Sequence, residues 1–377
     1  MMTQSPPLLS LQNPKDVSIE EIEAELNEIW QNNHAADQGT IATRATTFTM
    51  VIYESEEKFD DSAIAETLAS SNPGRIIALY PTQTEDEGVS AQVSAYCPIQ
   101  KQGSNSLVCC EYIHLTGTPE ALERIGGMIC ALMLSDLPRF LWWKAKPQPK
   151  SDLFQRLANH SDTVVIDSSS FEQTEAELQC VGQLLSEGMV FADLNWRRLS
   201  AWQELTAEAF DPPERRNDLT EVDQVTIDYE QGNPAQALMF LGWLASRLNW
   251  EPISYEYEGG DYDIRRVKLQ NKEQKEIVAE LAGIPTEAGE IPGDLISIRL
   301  SSTNLEADCC TVLCSETTGC MRMEAGGGAQ SCRIQQVTPL FDQKTEQLLV
   351  KQVQRWGREV LYEESMTPTY QMLQLQS

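Results

Sequence analysis

Positive charge is scarce in this sequence. Across 377 residues, 28 lysines and arginines stand against 57 aspartates and glutamates, a net charge of −29. A surface that acidic repels phosphate backbones, so nucleic acid is not an expected partner, and anionic membrane surfaces are disfavoured for the same reason. Long apolar runs are missing too. The stretch 237–245, ALMFLGWLA, is among the longest and falls well short of the roughly 18 residues a membrane-spanning helix needs. The first twelve residues hold no lysine or arginine of the kind that opens a signal peptide, so a reducing cytoplasm is the expected compartment. Histidine is nearly absent: His34, His114 and His160 are the full set, and none sits in a nucleophile motif. There is no GxxxxGK[ST], no GxGxxG after a strand, no GxSxG, no HExxH and no EF-hand loop. No catalytic residue, metal or cofactor is expected.

What is present reads as globular. Hydrophobic residues make up 41% and charged residues 23%, and the length suits two or three domains. Residues 1–17, with Pro6, Pro7 and Pro14, read as a flexible arm. A helix is expected over 18–33, followed by strands over 47–53, 75–80, 92–97 and 107–115. A helix then spans 119–134, where Gly126 and Gly127 suggest close packing against a neighbouring backbone. Strand and helix alternate from 139 to 186, the pattern of a parallel sheet, and a helix over 191–210 runs up to Pro212-Pro213. That double proline marks the expected boundary between an N-terminal domain, 18–210, and a C-terminal domain, 219–377. The second domain opens with a strand over 223–229 and a helix over 234–249, followed by six short strands and a closing helix over 342–364. The fold class is therefore α/β: an N-terminal domain with a partly parallel sheet flanked by helices, plus a C-terminal α+β domain.

Ten cysteines in a reducing compartment read as buried thiols, metal ligands or redox sensors rather than structural disulfides. Five fall within residues 309–332: Cys309, Cys310, Cys314, Cys320 and Cys332. Zinc wants two closely spaced pairs; Cys310 with Cys314 offers one, but Cys320 and Cys332 are too far apart to make the other. The C-x-x-C of thioredoxin-type catalysts is absent. Strands over 311–314 and 320–323, joined by the polar loop 315–319, predict a hairpin whose mouth brings Cys314 and Cys320 near each other. Three readings stay open: small buried thiols, a reversible disulfide acting as a redox switch, and a metal site. Cys309 and Cys310 join Cys314 and Cys320 as candidate redox-regulatory residues. Cys97, Cys109, Cys110, Cys130 and Cys180 are expected in the core.

Residues 1–100 hold 16 acids and 4 bases, whereas 101–150 hold 4 acids and 6 bases. This basic exception contains Arg139, Trp142, Trp143, Lys144 and Lys146. Adjacent strand residues point to opposite faces, so one tryptophan is expected in the core and the other at the surface. Exposed Trp and Arg carry interface energy, which makes these five residues candidates for partner binding. A buried strand with a solvated end is the plainer alternative.

Three stretches carry a family resemblance: DLPRFLWW (136–143), SDTVVIDSS (161–169) and FADLNWRRL (191–199). With them, the sequence from about residue 33 onward resembles the OpcA family of glucose-6-phosphate dehydrogenase assembly proteins. The resemblance implies a non-enzymatic protein that binds glucose-6-phosphate dehydrogenase, promotes its active oligomer and so activates the oxidative pentose phosphate pathway. In cyanobacterial members it further implies that thioredoxin acts on the protein's cysteines, and Cys314 with Cys320 best matches that pair. The rival reading is an enzyme or sugar-phosphate-binding sensor that uses the N-terminal α/β domain, weakened by the missing phosphate loop.

Overall fold

The computed structural model describes residues 8–32, 41–44, 46–54, 68, 72–98, 106–286, 289, 291–304, 307, 309–316, 320–325, 334–339, 344–355 and 357–376. Two compact units make up the chain. The first comprises Met1–Ile166, Gly188–Ala192 and Lys344–Arg358; the second comprises Asp167–Glu187, Asp193–Gln343 and Glu359–Ser377.

The first unit is built on one sheet of nine strands: β1 (Leu8–Val17), β2 (Ile41–Arg44), β3 (Thr49–Tyr53), β4 (Arg75–Pro81), β5 (Ser90–Pro98), β6 (Ser106–Gly117), β7 (Arg139–Trp143), β8 (Thr163–Ile166) and β9 (Phe191–Asp193). Its helices are α1 (Ile22–Asn32), α2 (Pro119–Arg124), α3 (Gly126–Leu132), α4 (Asp152–His160) and α10 (Thr345–Val353). The strands lie in the order β1-β5-β6-β4-β3-β7-β8-β9, with β2 also on β6. Parallel pairing joins β6 to β4, β4 to β3, β3 to β7 and β7 to β8. Counting from β3 and leaving out the antiparallel β5, the order is 3-2-1-4-5-6, that of a dinucleotide-binding sheet. Interior strands of such a sheet are covered on both faces, and β3 is buried at all five positions.

Three expectations change here. Residues 8–17, expected as loose arm, form β1 antiparallel to β5; Pro14 is tolerated because it falls in a register shift between Gln12 and Lys15 on that edge strand. The helix expected over 119–134 breaks into α2 and α3. A Cβ on Gly126 would lie 3.2 Å from Leu153 Cδ1 and 3.3 Å from Arg156 Cδ, so the close approach is to side chains of α4. Residues 191–193 pair as β9 instead of opening a helix.

The second unit carries helices α5 (Thr174–Ser186), α6 (Leu194–Arg198), α7 (Ser200–Phe210), α8 (Pro213–Arg216), α9 (Ala235–Leu248) and α11 (Val360–Gln374). Its strands are β10 (Gln224–Glu230), β11 (Glu251–Gly259), β12 (Ile264–Gln270), β13 (Glu276–Ile284), β14 (Leu295–Ser301), β15 (Thr311–Glu316), β16 (Cys320–Ala325) and β17 (Ile334–Pro339). They form one sheet in the order β11-β12-β13-β10-β14-β15-β16-β17, where β10 with β13 is the parallel pair and the other neighbours run antiparallel. Alternating burial along β10 and β12 marks one face as core and the other as partly solvated.

The apolar run 237–245 lies in α9, whose residues Ala235 to Leu241 are all buried. α11 crosses it closely: a Cβ on Gly242 would overlap Thr369 Oγ1 and sit 2.5 Å from the Ser365 carbonyl oxygen. Among the described residues no helix is long and apolar enough to cross a membrane. β13 was not expected from the sequence. The closing helix is two helices, α10 and α11, separated by Gly357 at φ +100°. Pro212-Pro213 does not separate the units either. Pro213 opens α8, and the buried Arg215 donates to the Ala209 carbonyl and to Thr311 Oγ1 at 3.0 Å, so the segment is tied into the second unit.

Candidate functional site

Two of the three sequence signatures meet in a buried polar hub within the second unit. Asp193 caps α6: its Oδ1 accepts from the Asn195 amide at 2.9 Å and from the Ser168 amide at 3.0 Å. Asn195 Nδ2 donates to Ser168 Oγ at 3.2 Å. Arg198 grips Asp167 with both Nη atoms, at 2.8 and 3.0 Å, the planar fork-to-carboxylate geometry that arginine favours. Gln236 of α9 donates to Asn195 Oδ1 at 2.9 Å, and Asn233 Nδ2 donates to the carbonyls of Ser168 and Ser169. Trp196 packs against Tyr362 with ring centroids 5.7 Å apart.

Burial, reinforced by the nearby Asp167 charge, pushes the Asp193 carboxyl up to about 6. Its Oδ2 and the Tyr362 hydroxyl are buried without hydrogen-bond partners. The Ser169 hydroxyl donates to Asp167 at 2.6 Å, and the same Asp167 is held by Arg198. The arrangement orders the backbone of the 167–169 turn and the start of α6. The Asp-Ser-Ser turn and the Asp-x-Asn cap were the local signals available in the sequence.

The basic segment folds differently from expectation. Trp142 and Trp143 are both 2% exposed, because β7 lies inside the parallel sheet and both its faces are covered. Neither tryptophan is on the surface. Trp143 stacks on Tyr53 with centroids 3.9 Å apart, and Lys144 Nζ lies 4.4 Å from the Trp142 ring centroid. Arg139 is partly exposed and paired with Asp162 at 3.0 Å, while Lys146 is exposed.

The same residues lie beside the sheet's switch point, between β3 and β7, where open α/β sheets bind ligands. Lys144 Nζ donates to Glu54 at 2.5 Å, and the Lys144 amide donates to the Tyr53 carbonyl at 3.0 Å. The sequence continuing from β3 is Glu54-Ser55-Glu56-Glu57, acidic where a pyrophosphate loop needs glycines and backbone donors.

The β15–β16 hairpin forms, with Cys314 opposite Arg322 and Glu316 opposite Cys320. In backbone register Cys314 and Cys320 are therefore offset by two positions and not directly opposed. Cys314 and Cys310 are half-buried, and Cys309 is buried, its thiol pushed up to about 11 by burial. The Cys320 side chain, Cys332 and the Gly326-Gly327-Gly328 turn lie outside the described residues. Among the described residues no cluster of three or more potential metal ligands occurs. Cys97 and Cys109, expected as core thiols, are buried but joined in a disulfide.

The fold defines a two-unit α/β protein in which two of the sequence signatures build the buried hub. Residues 65–183 match the family of N-terminal domains of the glucose-6-phosphate dehydrogenase subunit, and residues 189–366 match the family of its C-terminal domains. The chain is 48% identical to OpcA of Synechocystis, over 99% of this chain and 95% of that one. It is 50% identical to OpcA of Nostoc punctiforme, over 100% and 97%. Both relatives are named for the OxPP cycle. The chain belongs to the OpcA family of glucose-6-phosphate dehydrogenase assembly proteins. Among solved structures, the 3-ketoreductase KijD10 of Actinomadura kijaniata aligns at 8% identity and TM-score 0.46, over 87% of this chain and 96% of its own. An aldose-aldose oxidoreductase of Caulobacter crescentus aligns at 13% and 0.44, over 88% and 95%. At that level no activity follows from the likeness.

Proposed function

We propose that this protein is a non-catalytic assembly factor and allosteric activator of glucose-6-phosphate dehydrogenase, acting in the cytoplasm in the oxidative pentose phosphate pathway. The observation that carries the reading is the family match over both halves of the chain. A catalyst or sugar-phosphate sensor on this sheet would need an anion site after β3, and there the sequence runs Glu54-Ser55-Glu56-Glu57 with Lys144 paired to Glu54. Activation then comes from binding the active dehydrogenase conformer more tightly than the inactive one. The exposed Lys146, with Lys144 two residues before it, is the candidate approach for a partner; Arg139, a further candidate, lies at the other end of β7 and is paired with Asp162. The redox response is assigned to the β15–β16 hairpin. Cys314 and Cys320 lie on paired strands two register positions apart, and their joining under oxidation, reversed by thioredoxin, is the proposed switch.

The test is dehydrogenase activity and oligomer size, measured with and without the protein in oxidised and thioredoxin-reduced forms. Wild-type protein should raise activity, more so when oxidised, and Cys314→Ser with Cys320→Ser should remove the redox difference while keeping activation. No effect on the dehydrogenase in either state sinks the assembly role. Equal redox dependence in the double variant moves the switch elsewhere.

A further inference from the structure

We propose that the Cys97–Cys109 bond is a reversible redox site that controls how α1 seats on the first unit's sheet. It is separate from the β15–β16 hairpin and stands whatever the partner of the protein is. The β5–β6 ladder runs in register from Ser90 opposite Thr116 to Tyr96 opposite Cys110, which sets Cys97 directly across from Cys109. On its other side β5 is held by β1, with Leu9 opposite Cys97. Backbone pairing therefore keeps the two sulfurs adjacent in either redox state, and the bond can reform after it is broken.

A third thiol is close in sequence but does not compete. Cys110 points to the opposite face of β6, its Sγ accepts from the Gly74 amide at 3.3 Å, and burial pushes it up to about 11. With so little thiolate it is a poor partner for exchange.

The bond lies beneath a readable group. Trp30 of α1 packs against Cys97 and Cys109. Its Nε1 donates to Glu111 at 2.7 Å, and Glu111 holds Arg75 at 2.7 Å, which in turn reaches Glu23 of α1 at 2.5 Å. Reduction takes two electrons and two protons from an external dithiol, which leaves as its own disulfide, and converts the S–S bond into two thiols. Two unbonded thiols need more room than one bond, and in a packed interior that strain falls on the neighbouring ring. Trp30 is only partly buried, so it and α1 give way.

The experiment uses the full chain alone. Oxidised protein is titrated with dithiothreitol, then alkylated and mapped by peptide mass, while tryptophan emission is followed against a Trp30→Phe blank. Cys97 and Cys109 should resist alkylation before reduction and react after it. The Trp30 emission should shift with the same midpoint. Cys314→Ser with Cys320→Ser should leave this response intact, and Cys97→Ser with Cys109→Ser should abolish it. Three results overturn the proposal: Cys97 and Cys109 freely alkylated in oxidised protein, a bond that stays closed in folded protein at high dithiothreitol, or Trp30 emission indifferent to reduction. The first two are read on wild-type protein, so a variant that fails to fold does not rescue the idea.

Discussion

Asp193 is where one side chain carries most consequence. Its carboxyl sits near 6 in the folded hub, against roughly 4 in an unfolded chain. The native state therefore holds a proton that the unfolded state releases between those values. The hub is unpenalised below about pH 4, and stability falls as pH rises through about 6, by roughly 2–3 kcal/mol in all. Asp193→Asn keeps an oxygen for the Ser168 and Asn195 amides and removes the charge. Urea midpoints of wild type and variant, followed from pH 5 to pH 8, should diverge, with the variant the more stable at pH 8; parallel curves would show that Asp193 is already satisfied.

Arg75 is the opposite case, a buried cation fully enclosed by its partners. It is 0% exposed and bonds Glu111, Glu23 and the Leu132 carbonyl. Arg75→Met strands the buried Glu111 charge and should cost about 3–5 kcal/mol, whereas Arg75→Met with Glu111→Leu should cost clearly less. Denaturant titration of the two single variants and the double closes the cycle; strict additivity would mean the pair does not interact. His114 shows how a residue type misleads in isolation. It is half-buried on β6 against the Tyr80 ring, centroids 4.0 Å apart, and burial lowers its pKa.

Among elements, the α9–α11 crossing is set by Gly242. Glycine within a helix costs roughly 1 kcal/mol against alanine, yet here a methyl would strike Thr369 Oγ1 and the Ser365 carbonyl. Gly242→Ala should therefore destabilise, by about 1–3 kcal/mol, because backbone on the facing helix cannot yield as a side chain can. A raised thermal midpoint would contradict the packing. Helix α9, β7 and the β15–β16 hairpin were legible from local pattern: an apolar run of helical length, a short apolar strand after Pro138, and two short runs around a polar loop. β13 was not. Its sequence EIVAELAGI carries glutamates and alanines that favour no strand, and it is a strand because it lies parallel to β10, about fifty residues earlier in the chain. The long helix expected over 191–210 failed for a similar reason: residues 191–193 are taken by the sheet edge before α6 begins.

At the scale of the whole molecule, charge governs encounter. A protein of net charge −29 approaches another acidic protein slowly, and fastest through its least acidic face. Lys144 is partly neutralised by Glu54, whereas Lys146 is exposed, so Lys146→Glu should slow association with the dehydrogenase several-fold at low salt, the effect fading by about 0.5 M as the Debye length shrinks. Stopped-flow or surface-based association rates across a salt series report this, and an unchanged low-salt rate would move the docking face.

The sequence by itself determined the acidity, the absence of catalytic motifs, the mixed α/β class and the family signatures, since each is written in composition or in runs of a few residues. Tertiary structure alone decided what those signatures do. Long-range pairing put both tryptophans inside and linked Asp167 and Arg198 to Asp193 through Ser168 and Asn195. It also set Cys97 against Cys109. These depend on register between strands and on burial from both faces, and residues far apart in the chain acquire such neighbours only when the sheet forms.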